Sequence, residues 1–131
     1  MRQAYVTAAA IVLCAAAPLS AHHSPSAIFD MGGRVSVTGT LTKVDWINPH
    51  IVMTMDAKGE GGSVEHWRFE SNPPSWYRSV GLARADFAKA IGQTVTIECV
   101  RARDHSLFGY MQKIKLPDGT SLELINSADP K

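Results

Sequence analysis

Five histidines, His22, His23, His50, His66 and His105, are the side chains of this sequence best suited to hold a metal ion or move a proton. His22 and His23 follow a stretch built like a secretory leader. Met1-Arg2-Gln3 is a short basic start, Ala8 to Ala17 is an apolar run, and Pro18-Leu19-Ser20-Ala21 breaks it and ends on a small residue. Cleavage after Ala21 would leave His22 with both a free α-amino group and an imidazole, which together chelate one ion. A second imidazole on the opposite side completes a T-shaped set of nitrogens suited to Cu(II), which favours nitrogen ligands in tetragonal geometry and tops the divalent affinity series. His50 is the first choice for that imidazole, because the turn pair Asn48-Pro49 fixes its position. His66 and His105 are the alternative metal partners. A cut after Ser20 would instead give Ala21-His22-His23, in which the third-position histidine binds copper with the amine and two amides. The bland reading makes His22 and His23 a solvated arm and His50 a hydrogen-bonded turn residue.

The remaining chemistry is sparse. Glu70 is expected beside His50 on the outer face of a hairpin, where it would accept the ring N–H that a metal-bound histidine leaves over. Met53-Thr54-Met55 offers soft sulfur ligands with His66, yet strand alternation puts both methionines in the core. Asp45, Glu65, Glu70 and Asp104 form no pair at a recognisable spacing. No Gly-x-Ser-x-Gly, phosphate loop, His-Glu-x-x-His or Cys-x-x-Cys occurs, so no catalytic residue is assigned and binding is expected ahead of catalysis. Loss of residues 1–21 removes Cys14 and leaves Cys99, which lies in the apolar run Val95 to Val100 and reads as a buried structural thiol without a disulfide.

Charge narrows the partners. The chain has 13 basic and 12 acidic residues. Arg2 is the only charge in the leader-like segment, so the mature chain would be neutral. Neutrality and export argue against nucleic acid. The leader-like run is too short to span a bilayer, which needs roughly 20 apolar residues, so no stable membrane insertion is expected once it is cleaved. The protein is expected in the periplasm or secreted. The metal-free alternative is a module whose barrel groove, lined by Trp and Tyr, binds a peptide, a glycan or a small ligand. A copper oxygenase would also need an exposed substrate platform, which Trp76-Tyr77 and Phe108-x-Tyr110 could line, although aromatics near a helix and a loop more often pack.

These residues need a scaffold, and the sequence describes one that is mostly β. Residues 22–33 read as an extended arm ended by Gly32-Gly33. Arg34 to Ile47 alternates as a first strand, with Val35, Val37, Gly39 and Leu41 on one face; Val44 and Trp46 then fall out of step, as a β-bulge would cause. Gly39 suggests a bend there. Ile51 to Ala57 and Ser63 to Glu70 flank a Gly-rich loop. If Met53 faces Trp67, His50 lies beside Glu70 and His66 beside Thr54. Short helices are expected over Ser75 to Val80, capped by Ser75, and over Arg84 to Ala90, with Gly92 closing the region. Thr94 to Ala102 is a fourth strand, and Tyr110 to Leu116 with Ser121 to Ile125 forms a last hairpin around Pro117-Asp118-Gly119. Three strands, a helical connection between strands 3 and 4, then further strands give the order of a small OB-like five-stranded barrel. It would occupy residues 34–126, with 127–131 as a flexible tail and Trp46 and Trp67 largely buried.

Several of these residues also form a pattern. His22-His23-Ser24, Phe29-Asp30, Gly39, Trp46-x-Asn48-Pro49-His50, Trp67-x-x-Glu70, Gly92 and Asp118-Gly119 together resemble a domain-of-unknown-function family of small exported bacterial proteins. The resemblance spans nearly the whole mature chain. It implies export and a compact β domain, and no established activity.

Overall fold

A computed structural model describes residues 24–124. The expected leader over 1–21, His22, His23 and the tail over 127–131 lie outside the described residues. The elements are a helical turn α1 (Pro25–Ile28), β1 (Phe29–Asp45), β2 (Val52–Lys58), β3 (Val64–Glu70), α2 (Pro74–Ser79), α3 (Arg84–Ala88), β4 (Thr94–Ala102), β5 (Phe108–Lys115) and β6 (Ser121–Glu123). The domain is mostly β, with its two short helices between the third and fourth strands.

Six strands form among the described residues, not five. β1 pairs with β2 on one side and β4 on the other, β2 pairs with β3, and β4 with β5, all antiparallel. β3 meets β5 in parallel, Arg68 to Glu70 against Phe108 to Tyr110, so the pairing returns to where it began. β6 lies outside that circuit as a short strand on β5.

β1 is long because it serves two partners. Its first half pairs with β4 and its second half with β2, and the two overlap at Gly39 and Thr40. At Gly39 the β2 backbone comes so close that a Cβ would collide with the Asp56 carbonyl oxygen, which explains a glycine inside a strand. The register slips between Leu41 and Lys43, so the phase change in the sequence is a bulge. β1 also begins earlier than expected. Phe29 is buried and pairs with Ala102, so residues 29–33 belong to an irregular start of the strand instead of an extended arm.

In the β2–β3 hairpin the expected faces hold and the expected partners do not. Met53 faces Phe69, Met55 faces Trp67, and Asp56 faces His66. The shift is two residues from the pairing of Met53 with Trp67, and a two-residue shift leaves every side chain on its own face. Met53, Met55 and Phe69 are fully buried and Trp67 is 5% exposed. They pack inside with Leu41, Ile97, Met111 and Ile114.

The helical link closes one end of this core. α2 starts on Pro74, so Ser75 lies inside the helix and does not cap it. In α3 the Asp86 carboxylate accepts the Ala83 N–H at 2.9 Å. Gly92, at φ 83°, turns the chain out of the helical region in a conformation glycine adopts without penalty. Tyr77 and Phe87 are buried beneath Trp46, whose ring lies 5.6 Å from each. Trp46 itself is only half-buried: it forms the outer layer of the stack where a largely buried residue was expected.

Candidate functional site

The residues that could do chemistry gather where β3 and β5 run parallel. On the inner side of that seam lies the main core. On the outer side a second apolar cluster forms from Phe29, Val100, Ala102 and Tyr110. Phe29 packs on Phe108 at 5.0 Å and on Tyr110 at 5.4 Å, while Arg68 stacks over Phe108 at 4.7 Å. The start of β1 is thereby fixed against β5.

His50 stands at the edge of this cluster. The Asn48–Pro49 bond before it is cis. Backbone pairing continues past the strand ends, with Ser71 N–H donating to the Ile51 carbonyl at 2.9 Å and Ile51 N–H to the Asn72 carbonyl at 3.3 Å. That ladder holds the Ser71 carbonyl where it accepts a hydrogen bond from His50 Nδ1 at 2.8 Å. A carbonyl oxygen can only accept, so Nδ1 carries the proton and neutral His50 keeps its lone pair on Nε2. The ring sits edge-on to Tyr110, centroids 6.3 Å apart, and its side chain is 37% exposed. Burial pushes the Tyr110 phenol above its ordinary range, and the nearby Glu70 charge pushes it further.

Glu70 is close to His50, but at the nitrogen opposite the one expected. Its Oε1 lies 3.9 Å from Nε2, too long for a hydrogen bond, while Ser71 holds Nδ1. The orienting acceptor is therefore a backbone carbonyl, and Glu70 places negative charge on the side where the lone pair points.

The other expected residues are spread apart. His66 lies next to Asp56 across the strands, not Thr54, with Nδ1 2.6 Å from Oδ1, and is 74% exposed. His105 sits in the exposed β4–β5 loop at φ 62°. Arg103 ties that loop to the first described residues, its N–H and Nε donating to the Ile28 and Ser26 carbonyls. The His105 loop is thus held against the first described residues, whereas His50 is linked to Phe29 through Tyr110. No three His, Cys, Asp or Glu side chains converge as a metal cluster among the described residues. Cys99 is buried and burial pushes its thiol up to about 12, which makes it an inert core group. Of the aromatics proposed for a platform, Tyr77 and Tyr110 are buried, and Trp76 and Phe108 are half-buried.

The sequence model of a family described as a family of unknown function, DUF6152, matches residues 9–111. The chain belongs to the DUF6152 family. No curated protein matches the chain and no solved structure does. The matched residues of this DUF6152 chain run from the leader-like segment through β1 to β4 and into β5. They include His50, Glu70, Ser71 and Tyr110. No helix among the described residues is long and apolar enough to cross a membrane.

Of the members of this site, the Ser71 carbonyl has no sequence signal, and Tyr110 has one only as an aromatic that could line a binding surface, not as a neighbour of His50. The Ser71 carbonyl is a backbone group, as every residue carries. Tyr110 reaches the site through a parallel pairing between strands far apart in the chain, and no local pattern announces one.

Proposed function

We propose that this DUF6152 protein is exported, loses residues 1–21, and binds Cu(II) through the amine and imidazole of His22 and the imidazole of His50, on an OB-like β-barrel. The observation that carries the reading is the state of His50. A ring held through Nδ1–H by a carbonyl, which in the neutral tautomer leaves the lone pair on a partly exposed Nε2, is the arrangement in which histidines serve metals. Glu70 on the Nε2 side favours a cation there. Reach supports it too. Phe29 packs on Tyr110, the Tyr110 ring lies 6.3 Å from the His50 ring, and His22 lies seven positions before Phe29; the helical turn over Pro25–Ile28 spans about 6 Å and the three residues before it reach roughly 10 Å more. The barrel reading rests on the strand circuit closed by β3 and β5, and periplasmic or secreted location rests on the leader-like run.

The test is copper titration of protein beginning at His22, compared with protein carrying one extra residue before it. Tight one-to-one uptake, with nitrogen hyperfine structure in the electron paramagnetic resonance spectrum, is expected only for the first. Equal affinity in both forms would exclude the free amine. Loss of affinity in His105→Ala instead of His50→Ala would move the second imidazole to the β4–β5 loop. The metal-free reading, a module binding a peptide, glycan or small ligand, is supported at a different place, the arginine-lined groove beside the first half of β1.

A further inference from the structure

The first half of β1 has β4 on one side. On the other side, β2 joins only at Gly39, and no strand pairs with Arg34 to Thr38 there among the described residues. A groove of about 210 Å³ runs along this edge, lined by the consecutive residues Val35 to Thr38 and, across from them, by Ala57, Lys58 and Trp67. It shares Val35 and Arg101 with a second groove of about 450 Å³, which adds Arg34, Arg103 and His105. The two form one elongated depression beside an open strand edge.

Its charge is mainly basic although the chain is nearly neutral, with Lys58, Arg34, Arg101 and Arg103 against Asp30 and Glu65. Arg101 donates from Nε to the Ser106 carbonyl at 2.9 Å and from a terminal nitrogen to the His105 carbonyl, and its guanidinium lies 5.2 Å from the Trp67 ring. Arg103 is anchored on the Ser26 carbonyl at 3.1 Å. These acceptors are uncharged, and neither arginine has a carboxylate partner among the described residues. Of the two acids that line the depression, Asp30 accepts the Gly32 N–H and Glu65 the Trp67 indole N–H. The anchored guanidiniums keep their remaining N–H groups, held in place before any ligand arrives. Val35 and Val64, 37% and 61% exposed, leave apolar surface near the same edge.

We propose that this edge binds an extended acidic peptide segment of a partner protein. The peptide adds a strand beside Arg34 to Thr38, and its carboxylates meet Arg101 and Arg103; Arg34, which lies 3.8 Å from both Glu98 and Glu123, contributes less. Backbone pairing supplies the shape requirement and the arginines select the charge. The proposal deepens the metal-free reading and involves neither copper nor the amine of His22, so its test can fail while the copper reading stands, and the reverse.

The probe is a fluorescently labelled eight-residue peptide of alternating Glu and Val, followed by anisotropy. Controls replace Glu by Gln, replace Glu by Lys, or N-methylate every second backbone nitrogen in each of the two phases. The acidic peptide should bind with an affinity that falls steeply with salt. The Gln and Lys versions should bind at least tenfold more weakly, and one N-methylated phase should fail while the other binds. Arg101→Gln should weaken binding about tenfold, the loss of a charge-assisted contact. Because Arg101 also holds its loop, the milder Arg34→Gln is measured beside it, with a loss of about threefold expected. Equal binding of both N-methylated phases and the parent would overturn strand addition. Full displacement by millimolar inorganic phosphate, or tighter binding of single-stranded DNA than of the peptide, would overturn a peptide ligand.

Discussion

The β2–β3 hairpin carries a histidine–carboxylate pair at each end, and the two differ in kind. Near the loop, His66 and Asp56 approach to 2.6 Å, with side chains 74% and 39% exposed. At the other end His50 and Glu70 are 3.9 Å apart, with side chains 37% and 25% exposed. By distance the first pair is the stronger. By environment it is the weaker, because water surrounds both groups and a surface ion pair is worth about 0–1 kcal/mol. The His66 ring also spends Nδ1 on the carboxylate, whereas His50 spends Nδ1 on a backbone carbonyl and keeps Nε2 beside a carboxylate and against Tyr110. Contact length therefore does not choose between the two histidines as candidate ligands; the partner of the second ring nitrogen and the backing behind the ring favour His50 in the copper proposal.

Both ends hang on one register, and the largest effect comes from breaking it. Trp67 is stacked on Phe69 at 5.7 Å, faces Met55 and is almost fully buried. Trp67→Ala should cost ~3–5 kcal/mol in chemical denaturation, and should loosen the His66 and His50 ends together. An unchanged midpoint would show that the ring is not part of the core. Gly39→Ala drives a methyl group into the Asp56 carbonyl, and is expected to cost ~1–3 kcal/mol by overpacking the same hairpin from the β1 side.

The next effect separates the ends. In copper titrations of protein that begins at His22, His50→Ala should remove the second imidazole, and Glu70→Gln should weaken affinity by roughly tenfold, because the negative charge beside Nε2 is lost while Ser71 still holds Nδ1. His66→Ala should leave the affinity unchanged. A loss on His66→Ala equal to that on His50→Ala would erase the distinction drawn between the two ends.

How much of this was legible in the sequence follows from what each pattern encodes. Alternation encodes faces, so the sequence predicts Met53, Met55, Trp67 and Phe69 facing inward, as they do, although every partner lies two residues from the expected one. The phase break after Leu41 encodes a bulge, and β4 was read to the residue because its apolar run is flanked by Gly92 and Asp104. The start of β1 was hidden by Gly32-Gly33 and its polar neighbours; what makes Phe29 part of the strand is a tertiary contact, its burial against Tyr110 and Phe108. His50 and Glu70 approach each other although the register expected to pair them is two residues out, with Val52 opposite Glu70. The Ser71 acceptor and the Tyr110 backing were not legible, since one is a backbone atom and the other arrives by the parallel seam.

A smaller effect follows from pH. The Tyr110 phenol is raised first by burial and then by Glu70, so the folded state holds its proton after the unfolded state has lost it. Stability from this group is intact below the ordinary phenol pKa of about 10 and falls as the pH rises beyond it. Tyr77, raised further by burial, and Cys99, pushed up to about 12, act in the same direction. Tyr110→Phe should therefore flatten the alkaline loss of stability, by well under the ~1.4 kcal/mol per pH unit that one whole proton would give. The amides around Ser71 should exchange faster than those around Asp56 as wild-type protein is taken to high pH. Uniform exchange at both ends would deny Tyr110 its local role.

The smallest effect is expected at the pair with the shortest contact. A double-mutant cycle on Asp56→Asn and His66→Gln should give a coupling of about 0.5 kcal/mol or less in thermal or chemical denaturation. The reasoning is that each group is well hydrated when the pair is broken, so little is gained by forming it, and holding two exposed side chains in one geometry costs rotamer freedom. Salt sharpens the test. At 1 M ionic strength the screening length is about 3 Å, and the coupling between exposed groups should vanish. The same cycle on Glu70→Gln and His50→Gln should keep more of its value in salt, because those groups are more shielded and His50 is additionally held by Ser71. A larger and more salt-resistant coupling at His66 and Asp56 would reverse the ranking of the two ends, and with it the reason for choosing His50 over His66.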